Sequence, residues 1–230
     1  MFEFFSFTSA RKKYSLHFTN AQFIVACIIS IACLIGSLFI YYYAEVYATE
    51  SQSNAVTDIV LSNIPAMNVD GIFVYGGAIF ILFCAALLLY NPEKIPFTLK
   101  SVALFVVIRS LFVSLTHIGP FPTEGIIDSP HFMRMFTTGA DLFFSGHTGL
   151  PFLMALIFWD DKLLRVFFIA CSLFFGAVVL LGHIHYTIDV FAAFFITYTI
   201  YHIARFLFKT DRTLFFYYKY DKRLRKFLAR

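Results

Sequence analysis

Residues 163–182 read LLRVFFIACSLFFGAVVLLG, an apolar run in which Arg165 is the only charged residue. A helix of about 20 residues spans roughly 30 Å, which is the thickness of the hydrocarbon core of a bilayer. Comparable apolar runs lie at roughly 21–43, 71–90, 101–118, 145–159 and 186–208. Because a helix satisfies its own backbone hydrogen bonds in lipid, each run is predicted to be a membrane helix. The sequence therefore predicts an all-α polytopic membrane protein with six transmembrane helices.

The composition excludes several other classes of protein. Of the 230 residues, 60% are hydrophobic and only 14% are charged, and the mean hydropathy is +0.76. A soluble domain of this size has too little interior to bury so many apolar side chains. The four cysteines fall within predicted spans and are expected to pack as small apolar residues rather than to form disulfides. A soluble enzyme, a secreted disulfide scaffold and a disordered chain are excluded.

The chain is predicted to be organised as one domain and a tail. Residues 1–208 are expected to form a single six-helix transmembrane domain. Residues 209–230 interleave basic and aromatic side chains, a composition suited to the surface of an anionic cytoplasmic leaflet. A simple topology anchor is the alternative explanation of this tail.

The distribution of lysine and arginine predicts the orientation in the membrane. With both termini on one side, all 18 basic residues fall on that side except Arg109, within a span, and Arg134, on the other side. Since cytoplasmic loops carry the excess of lysine and arginine, both termini are predicted to be cytoplasmic. The net charge of +4 is thereby explained, and no nucleic acid partner is expected. Short tails and the absence of an Asn-x-Ser/Thr acceptor favour a bacterial cytoplasmic membrane over a eukaryotic Golgi or plasma membrane.

Two short segments concentrate polar residues at the starts of predicted spans. They contain Asp141, Ser145, Gly146, His147 and Thr148 before and in the fourth span, and His185, Tyr186, Thr187 and Asp189 in the sixth. Between His147 and His185 the predicted chain crosses the membrane twice, so both histidines are expected at the extracytoplasmic face. Because ionisable residues within spans are costly, this group is the candidate functional site.

The spacing of the second segment predicts a histidine prepared for nucleophilic or base chemistry. His185 and Asp189 lie four residues apart and share one helix face. The carboxylate is therefore expected to hold one imidazole nitrogen, which fixes the tautomer and leaves the other nitrogen reactive.

The first segment predicts a binding site for an anion. Ser145 is the expected N-cap, Gly146 lets a ligand approach the backbone, and the free amides of the helix start favour a phosphate. The fourth span is short, so a lipid head group is expected to reach His147 near head-group depth. Arg109, midway through the third span, either binds phosphate or pairs with an acid, and the sequence leaves both interpretations open.

These two motifs resemble the sphingomyelin synthase family, a branch of the type-2 phosphatidic acid phosphatase superfamily. Residues 141–148, DLFFSGHT, are similar to the family segment Cys-Gly-Asp-x-x-x-Ser-Gly-His-Thr, and residues 183–190, HIHYTIDV, are similar to its segment His-x-His-Tyr-Thr-x-Asp-Val. The similarity covers about 95–208, the expected catalytic core. Gly139 and Ala140 stand where the family has Cys-Gly, and Phe194 replaces an expected tyrosine, departures that bear on substrate choice.

The resemblance implies a superfamily-type bundle of six helices and the transfer of a lipid head group, phosphocholine or phosphoethanolamine. It implies that His185, oriented by Asp189, attacks the phosphorus of a glycerophospholipid and forms a phosphohistidine. It implies that His147 protonates the departing diacylglycerol and then deprotonates the acceptor, which is ceramide or a similar lipid alcohol. Further candidates for binding phosphate or substrate are Arg109, Asp141, Ser145, Gly146, Thr148 and Tyr186. No metal or cofactor is expected, and the oligomeric state is left open.

Three alternatives accompany this interpretation. Water in place of the lipid acceptor gives a hydrolysis of the phospholipase C type. A lipid phosphate phosphatase uses the same nucleophile, but that group resembles Lys-x6-Arg-Pro and a Ser-Arg before the nucleophile, whereas residues 178–184 read VVLLGHI and the chain has no Lys-x6-Arg-Pro. A non-enzymatic haem or ion carrier would use histidines on facing helices without a need for Asp189.

Overall fold

The computed structural model describes residues 20–122 and 142–213, together with Tyr14, His17 and Phe18. Every regular element in this part of the chain is a helix, and none is a strand. The α-helices are α1 Ala21–Glu50, α2 Gly77–Tyr90, α3 Ile95–Leu115, α4 Gly146–Ile157, α5 Lys162–Leu181 and α6 Thr187–Leu207. A π-helical turn, Ile72–Gly76, leads into α2, and 3-10 turns occupy Leu61–Asn63 and Pro92–Lys94. The predicted all-α class is confirmed for these residues.

Five helical stretches of the described chain are long and apolar enough to cross a membrane. They are Ala21–Glu50, Ile72–Tyr90, Pro92–Leu115, Lys162–Leu181 and Thr187–Leu207. Helix α4 is shorter, because its 12 residues extend only about 18 Å along the helix axis. The structure is therefore that of a helical membrane protein, but the predicted count of six spans is not confirmed.

Two helices extend past the limits predicted from hydropathy. Helix α1 continues to Glu50 rather than ending near residue 43, and α3 begins at Ile95 rather than near residue 101. In both cases a charged residue ended the apolar run. Glu45 is nevertheless buried within the bundle, and Nζ of Lys100 lies 2.6 Å from Oδ2 of Asp211. Hydropathy thus located the spans but missed helical turns whose charges are buried or paired.

Small side chains bring the helices close together. The polar residues buried between helices include Ser30 on α1, Ser101 and Ser110 on α3, Ser172 on α5 and Thr197 on α6. Helices in lipid associate through close packing and interhelical hydrogen bonds, which small residues permit. Helix α1 packs along α3, and α4 packs against both α5 and α6. Large apolar side chains such as Ile79, Leu163 and Phe195 are exposed on the outside of the bundle.

Phenylalanine rings connect the helices around the start of α4. Phe80 of α2 meets Phe168 and Phe175 of α5 edge-on, with ring centroids 5.9 and 6.1 Å apart. Phe105 of α3 meets Phe144 edge-on at 5.4 Å, immediately before α4. Such edge-to-face pairs contribute about 0.5–1.5 kcal/mol each beyond the area that they bury. These contacts fix α2 against α5, and α3 against the residues that lead into α4.

The segment between α1 and α2 covers the end of the bundle at which α4 and α6 begin. The backbone N–H of Met67 donates to the carbonyl of Leu181 at 2.8 Å. The side chain of Leu61 is buried in a cluster with Leu142 and Tyr186. The starts of α4 and α6 therefore lie beneath an ordered layer of the chain.

Candidate active site

Helix α4 begins at the predicted anion-binding helix start. Ser145 is the N-cap, and its Oγ accepts a long hydrogen bond of 3.4 Å from the N–H of Thr148. The preceding Phe144 has a φ of 26°, a left-handed conformation that is rare for residues other than glycine. In this turn the carbonyl of Phe144 accepts a hydrogen bond of 3.1 Å from Nε of Arg109 on α3. A guanidinium and a helix N-terminus thus lie side by side.

A carboxylate orients the histidine that precedes α6. Nδ1 of His185 lies 3.3 Å from Oδ2 of Asp189, and both side chains are buried. The same oxygen accepts the backbone N–H of Tyr186 at 3.1 Å, within the capping box that begins α6. With its proton on Nδ1, facing the carboxylate, the neutral imidazole carries its lone pair on Nε2. In this arrangement Nε2 is the imidazole nitrogen that does not face the carboxylate.

A backbone hydrogen bond joins the starts of the two helices. The N–H of Ser145, the N-cap of α4, donates to the carbonyl of Asp189 in the first turn of α6 at 3.1 Å. His147 and His185 therefore lie at the same end of the bundle.

A cavity of about 450 Å³ at this end is lined by both histidines. Its volume lies in the range of sites for small molecules. Arg109 is the only lysine or arginine among the described residues on its wall. The remaining wall is mostly apolar and includes Leu34, Leu38, Phe73, Phe80, Val102 and Leu150. Two imidazoles and one guanidinium thus face a space that is otherwise suited to hydrocarbon.

Neighbouring residues fix the ring of His147 in this cavity. The ring stacks on Phe73 with centroids 4.0 Å apart and meets Phe175 edge-on at 5.8 Å. A Cβ placed on Gly77 would lie 2.9 Å from Nε2 of His147. The missing side chain at position 77 therefore leaves the space that this nitrogen occupies.

Arg109 lies on the wall of the cavity next to the start of α4. Its guanidinium carbon is 5.6 Å from the centroid of the Tyr41 ring, within range of a cation–π interaction. A Cβ placed on Gly146 would lie 3.3 Å from its Nε. Phosphate binding and pairing with an acid, the two interpretations left open by the sequence, both stay predictions for Arg109.

The other predicted binding residues are divided between the cavity and its support. Gly146 lines the cavity, whereas the side chains of Ser145, Thr148 and Tyr186 are buried behind the wall. The carbonyl of Thr148 accepts a hydrogen bond of 2.7 Å from Oγ of Ser172, which ties α4 to α5. Asp141 lies outside the described residues.

Tyr186 contacts protein groups instead of the cavity. Its hydroxyl donates to the carbonyl of Gly119 at 2.8 Å and accepts the N–H of Val56 at 3.2 Å. The side chain thereby connects the α1–α2 segment and the chain that follows α3 to the residue next to His185. Its place in the structure is that of a positioning residue for this turn, which differs from the predicted contact with substrate.

Asp58 supports this end of the bundle, although it is not among the site residues predicted from the sequence. One carboxylate oxygen accepts the N–H of Thr187 at 2.7 Å, and the other accepts its hydroxyl at 2.8 Å. The N–H groups of Val60 and Leu61 also donate to Asp58, at 2.8 and 3.1 Å. Asp58 thus clamps the α1–α2 segment to the first residue of α6, two residues after His185. Its partner is 129 residues away, so no local pattern marked it.

The clamp predicts how stability depends on pH. Burial acts to raise the pKa of Asp58, but the hydrogen bonds from Thr187, Leu61 and Val60 outweigh it and hold the pKa below 3.8. A lowered pKa adds stability that is present above the unfolded-state pKa and is lost as pH falls through the folded-state pKa.

We expect Asp58→Asn to lower the melting temperature of the detergent-solubilised protein at pH 7 by about 3 °C. The difference from wild type should shrink as the pH falls through the lowered folded-state pKa of Asp58, because the wild-type carboxylate then becomes protonated. Thermal unfolding followed between pH 7 and pH 3 measures both effects. Glu50→Gln is the control, since Glu50 is exposed at the end of α1, and it should follow wild type at every pH. A difference for Asp58→Asn that stays constant with pH would contradict the clamp.

Two other histidines among the described residues near this end, His183 and His117, do not line the cavity. His183 has a φ of 53° and packs its ring against Phe121 at 5.4 Å, and it does not line the cavity. His117 packs its ring against Tyr47 at 5.5 Å. Within the described ranges, no three His, Cys, Asp or Glu side chains are grouped closely enough to hold a metal ion.

Comparison with known proteins adds one match. Residues 138–206 match the family model described as PAP2 superfamily C-terminal. Curated proteins and solved structures give no match to the chain. The matched range contains His147, His185 and Asp189.

Proposed function

We propose that this protein is a member of the type-2 phosphatidic acid phosphatase (PAP2) superfamily, as the match over residues 138–206 supports, with a narrower function within it. It is a membrane phosphotransferase that moves phosphocholine or phosphoethanolamine from a glycerophospholipid to ceramide or a similar lipid alcohol. The observation that carries the proposal is the single cavity lined by both His147 and His185.

In the first half of the reaction, Nε2 of His185 attacks the phosphorus of the donor lipid. A phosphorus–nitrogen bond forms as the bond between phosphorus and the diacylglycerol oxygen breaks. The electron pair of that bond goes to the oxygen, which takes a proton from protonated His147. Asp189, 3.3 Å from Nδ1 of His185, stabilises the positive charge that develops on the attacking ring.

The second half regenerates the enzyme. His147 is now neutral and removes the proton of the acceptor hydroxyl while that oxygen attacks phosphorus. The phosphorus–nitrogen bond breaks, and its electron pair returns to Nε2 of His185. One histidine thus serves as acid and then as base, so no net proton is gained or lost.

Arg109 and the first amides of α4 stabilise the negative charge on the phosphoryl oxygens. Both lie at the start of α4, where the amides have no carbonyl partner in the preceding turn. Donors fixed in position before the reaction are most effective where water is excluded. The mostly apolar wall of the cavity supplies such surroundings.

The apolar wall supports a lipid substrate over a soluble phosphate ester. Leu34, Leu38 and Val102 extend it away from the histidines along α1 and α3. A hydrocarbon chain in that space buries apolar surface at about 25 cal/mol per Å². We place this cavity at the extracytoplasmic end, because the lysines and arginines collect at the other end.

A lipid phosphate phosphatase is the second candidate, because members of the superfamily use the same pair of histidines for either reaction. Its substrate is a phosphomonoester, which carries close to two negative charges near neutral pH. The described wall of the cavity offers Arg109 as its only lysine or arginine. One fixed cation suits the single charge of a phosphodiester better, and this favours the transferase.

We predict ceramide-dependent transfer by the purified protein in liposomes. The donors are head-group-labelled phosphatidylcholine and phosphatidylethanolamine, each tested with and without ceramide, and the labelled products are separated by chromatography. Label should appear in a ceramide phospho-head-group product only when ceramide is present. Without ceramide, water-soluble phosphocholine or phosphoethanolamine marks the hydrolytic side reaction.

A parallel incubation with phosphatidate tests the second candidate. We expect negligible inorganic phosphate, because Arg109 is the only lysine or arginine that the described residues of the cavity wall offer to a phosphomonoester dianion. Rapid release of inorganic phosphate from phosphatidate, without any transfer to ceramide, would contradict the transferase function and support a phosphatase function.

A further inference from the structure

A second cavity lies at the opposite end of the bundle, where α4 and α6 end. Its volume is about 350 Å³. Two arginines, Arg205 and Arg212, line it together with His202, Asp160, Trp159 and Tyr198. It is separate from the histidine cavity, because none of its lining residues belongs to that wall.

The chain holds both arginines in place at this cavity. Arg205, in the last turn of α6, stacks over the ring of Tyr201 at 5.6 Å and forms no ion pair with any described residue. Arg212 lies in the helical turn 209–213, which the pair of Lys100 and Asp211 anchors to α3 at 2.6 Å. The guanidinium groups of Arg205 and Arg212 thus line one cavity. The stack of Arg205 on Tyr201 does not neutralise its positive charge.

The surroundings of this cavity are those of a membrane–water interface. Trp159 and Tyr198 are about half exposed at its rim, and aromatic residues of this kind are enriched at head-group depth. Lys94, Lys162 and Arg165 lie at the same end of the helices, as is typical of the cytoplasmic side, whose leaflet carries the anionic lipids.

We propose that this cavity binds the phosphate group of a membrane lipid head group. Arginine guanidinium groups form paired, charge-assisted hydrogen bonds with phosphate oxygens. Among the described residues that line the cavity, two arginines and one carboxylate, Asp160, give one surplus positive charge, which matches the single negative charge of a phosphodiester. Phe97, Leu156 and Ile157 supply an apolar part of the lining next to the charged part, and this combination suits a lipid rather than a free phosphate ion.

The test measures binding of lipids to the full-length protein in detergent by native mass spectrometry. Dioleoyl phosphatidylglycerol, dioleoyl phosphatidylcholine and inorganic phosphate are titrated separately. Wild type should retain one phosphatidylglycerol with the highest affinity, and Arg205→Gln should weaken its binding about tenfold, because one charge-assisted interaction is lost. Arg165→Gln is the matched control, since Arg165 lies at the same end and stacks on Trp159 at 4.8 Å but does not line the cavity. It should leave binding unchanged.

A variant that binds phosphatidylglycerol more tightly than wild type distinguishes a change in the cavity from damage to the fold. Asp160→Asn removes the carboxylate of the lining and should tighten phosphatidylglycerol several-fold, an effect that a damaged fold does not produce. If phosphatidylglycerol and phosphatidylcholine bind equally well and Arg205→Gln weakens both, the cavity recognises the phosphate group that the two lipids share, which would support the proposal. Equal lipid binding by wild type and Arg205→Gln would overturn the proposal, and so would binding of inorganic phosphate without either lipid.

Discussion

His185→Ala is expected to lower turnover of the labelled donor lipid by at least about 10⁴-fold, because it removes the atom that forms the covalent intermediate. The variant should still insert into the membrane and elute as wild type on size exclusion. The side chain lines the cavity and pairs with Asp189, so its removal leaves most of the buried packing intact. The labelled-lipid assay measures the loss of activity, and a rapid quench in alkali measures label bound to the protein.

Matched variants separate the nucleophile from its neighbours. His117→Ala removes another histidine near the same end, packed on Tyr47 rather than in the cavity, and should keep activity within about threefold of wild type. Asp189→Asn keeps the shape of the pair but disturbs the tautomer of His185, and should cost about 10²–10⁴-fold. Labelled protein recovered from His185→Ala would assign the covalent step to a different residue.

The local parts of the site were predictable from the sequence because their causes are local. The four-residue spacing of His185 and Asp189 sets their shared helix face, and Ser145 before Gly146 marks a helix start whatever the rest of the fold does. Long apolar runs located the membrane helices for a similar reason, since each helix satisfies its own backbone in lipid.

Distant contacts were not predictable, because no periodicity records them. The clamp between Asp58 and Thr187 and the bond from Tyr186 to Gly119 join residues 129 and 67 positions apart. The start of α3 was misplaced for the same reason, since the partner that neutralises Lys100 lies 111 residues away. A single sequence shows which side chains are capable of acid–base, nucleophilic or binding chemistry. The fold determines which of them reach the cavity and which support its wall.

Substitution of Gly77 tests how strongly turnover depends on the position of the His147 ring. We expect Gly77→Ala to reduce turnover 10- to 100-fold while leaving the fold intact, because misplacing a reacting group by about 1 Å costs about that much. The new Cβ would lie 2.9 Å from Nε2 of His147, so the ring must move by about 0.5 Å or more to reach ordinary contact distance. The ring is the free end of a side chain and moves more easily than the backbone, but its stack on Phe73 limits where it goes.

The stability of Gly77→Ala should change in the opposite direction to its activity. Gly77 has φ −60° and ψ −45°, a helical conformation in which alanine is favoured over glycine by about 0.5–1 kcal/mol. Gly71→Ala is the matched control, because Gly71 is also helical, at φ −61° and ψ −43°, and a Cβ there meets nothing within 4 Å. Melting temperatures and turnover measured for both variants should show similar or raised stability in each, and lost activity only in Gly77→Ala. Full activity in Gly77→Ala would mean that Nε2 of His147 does not act from the position it occupies beside α2.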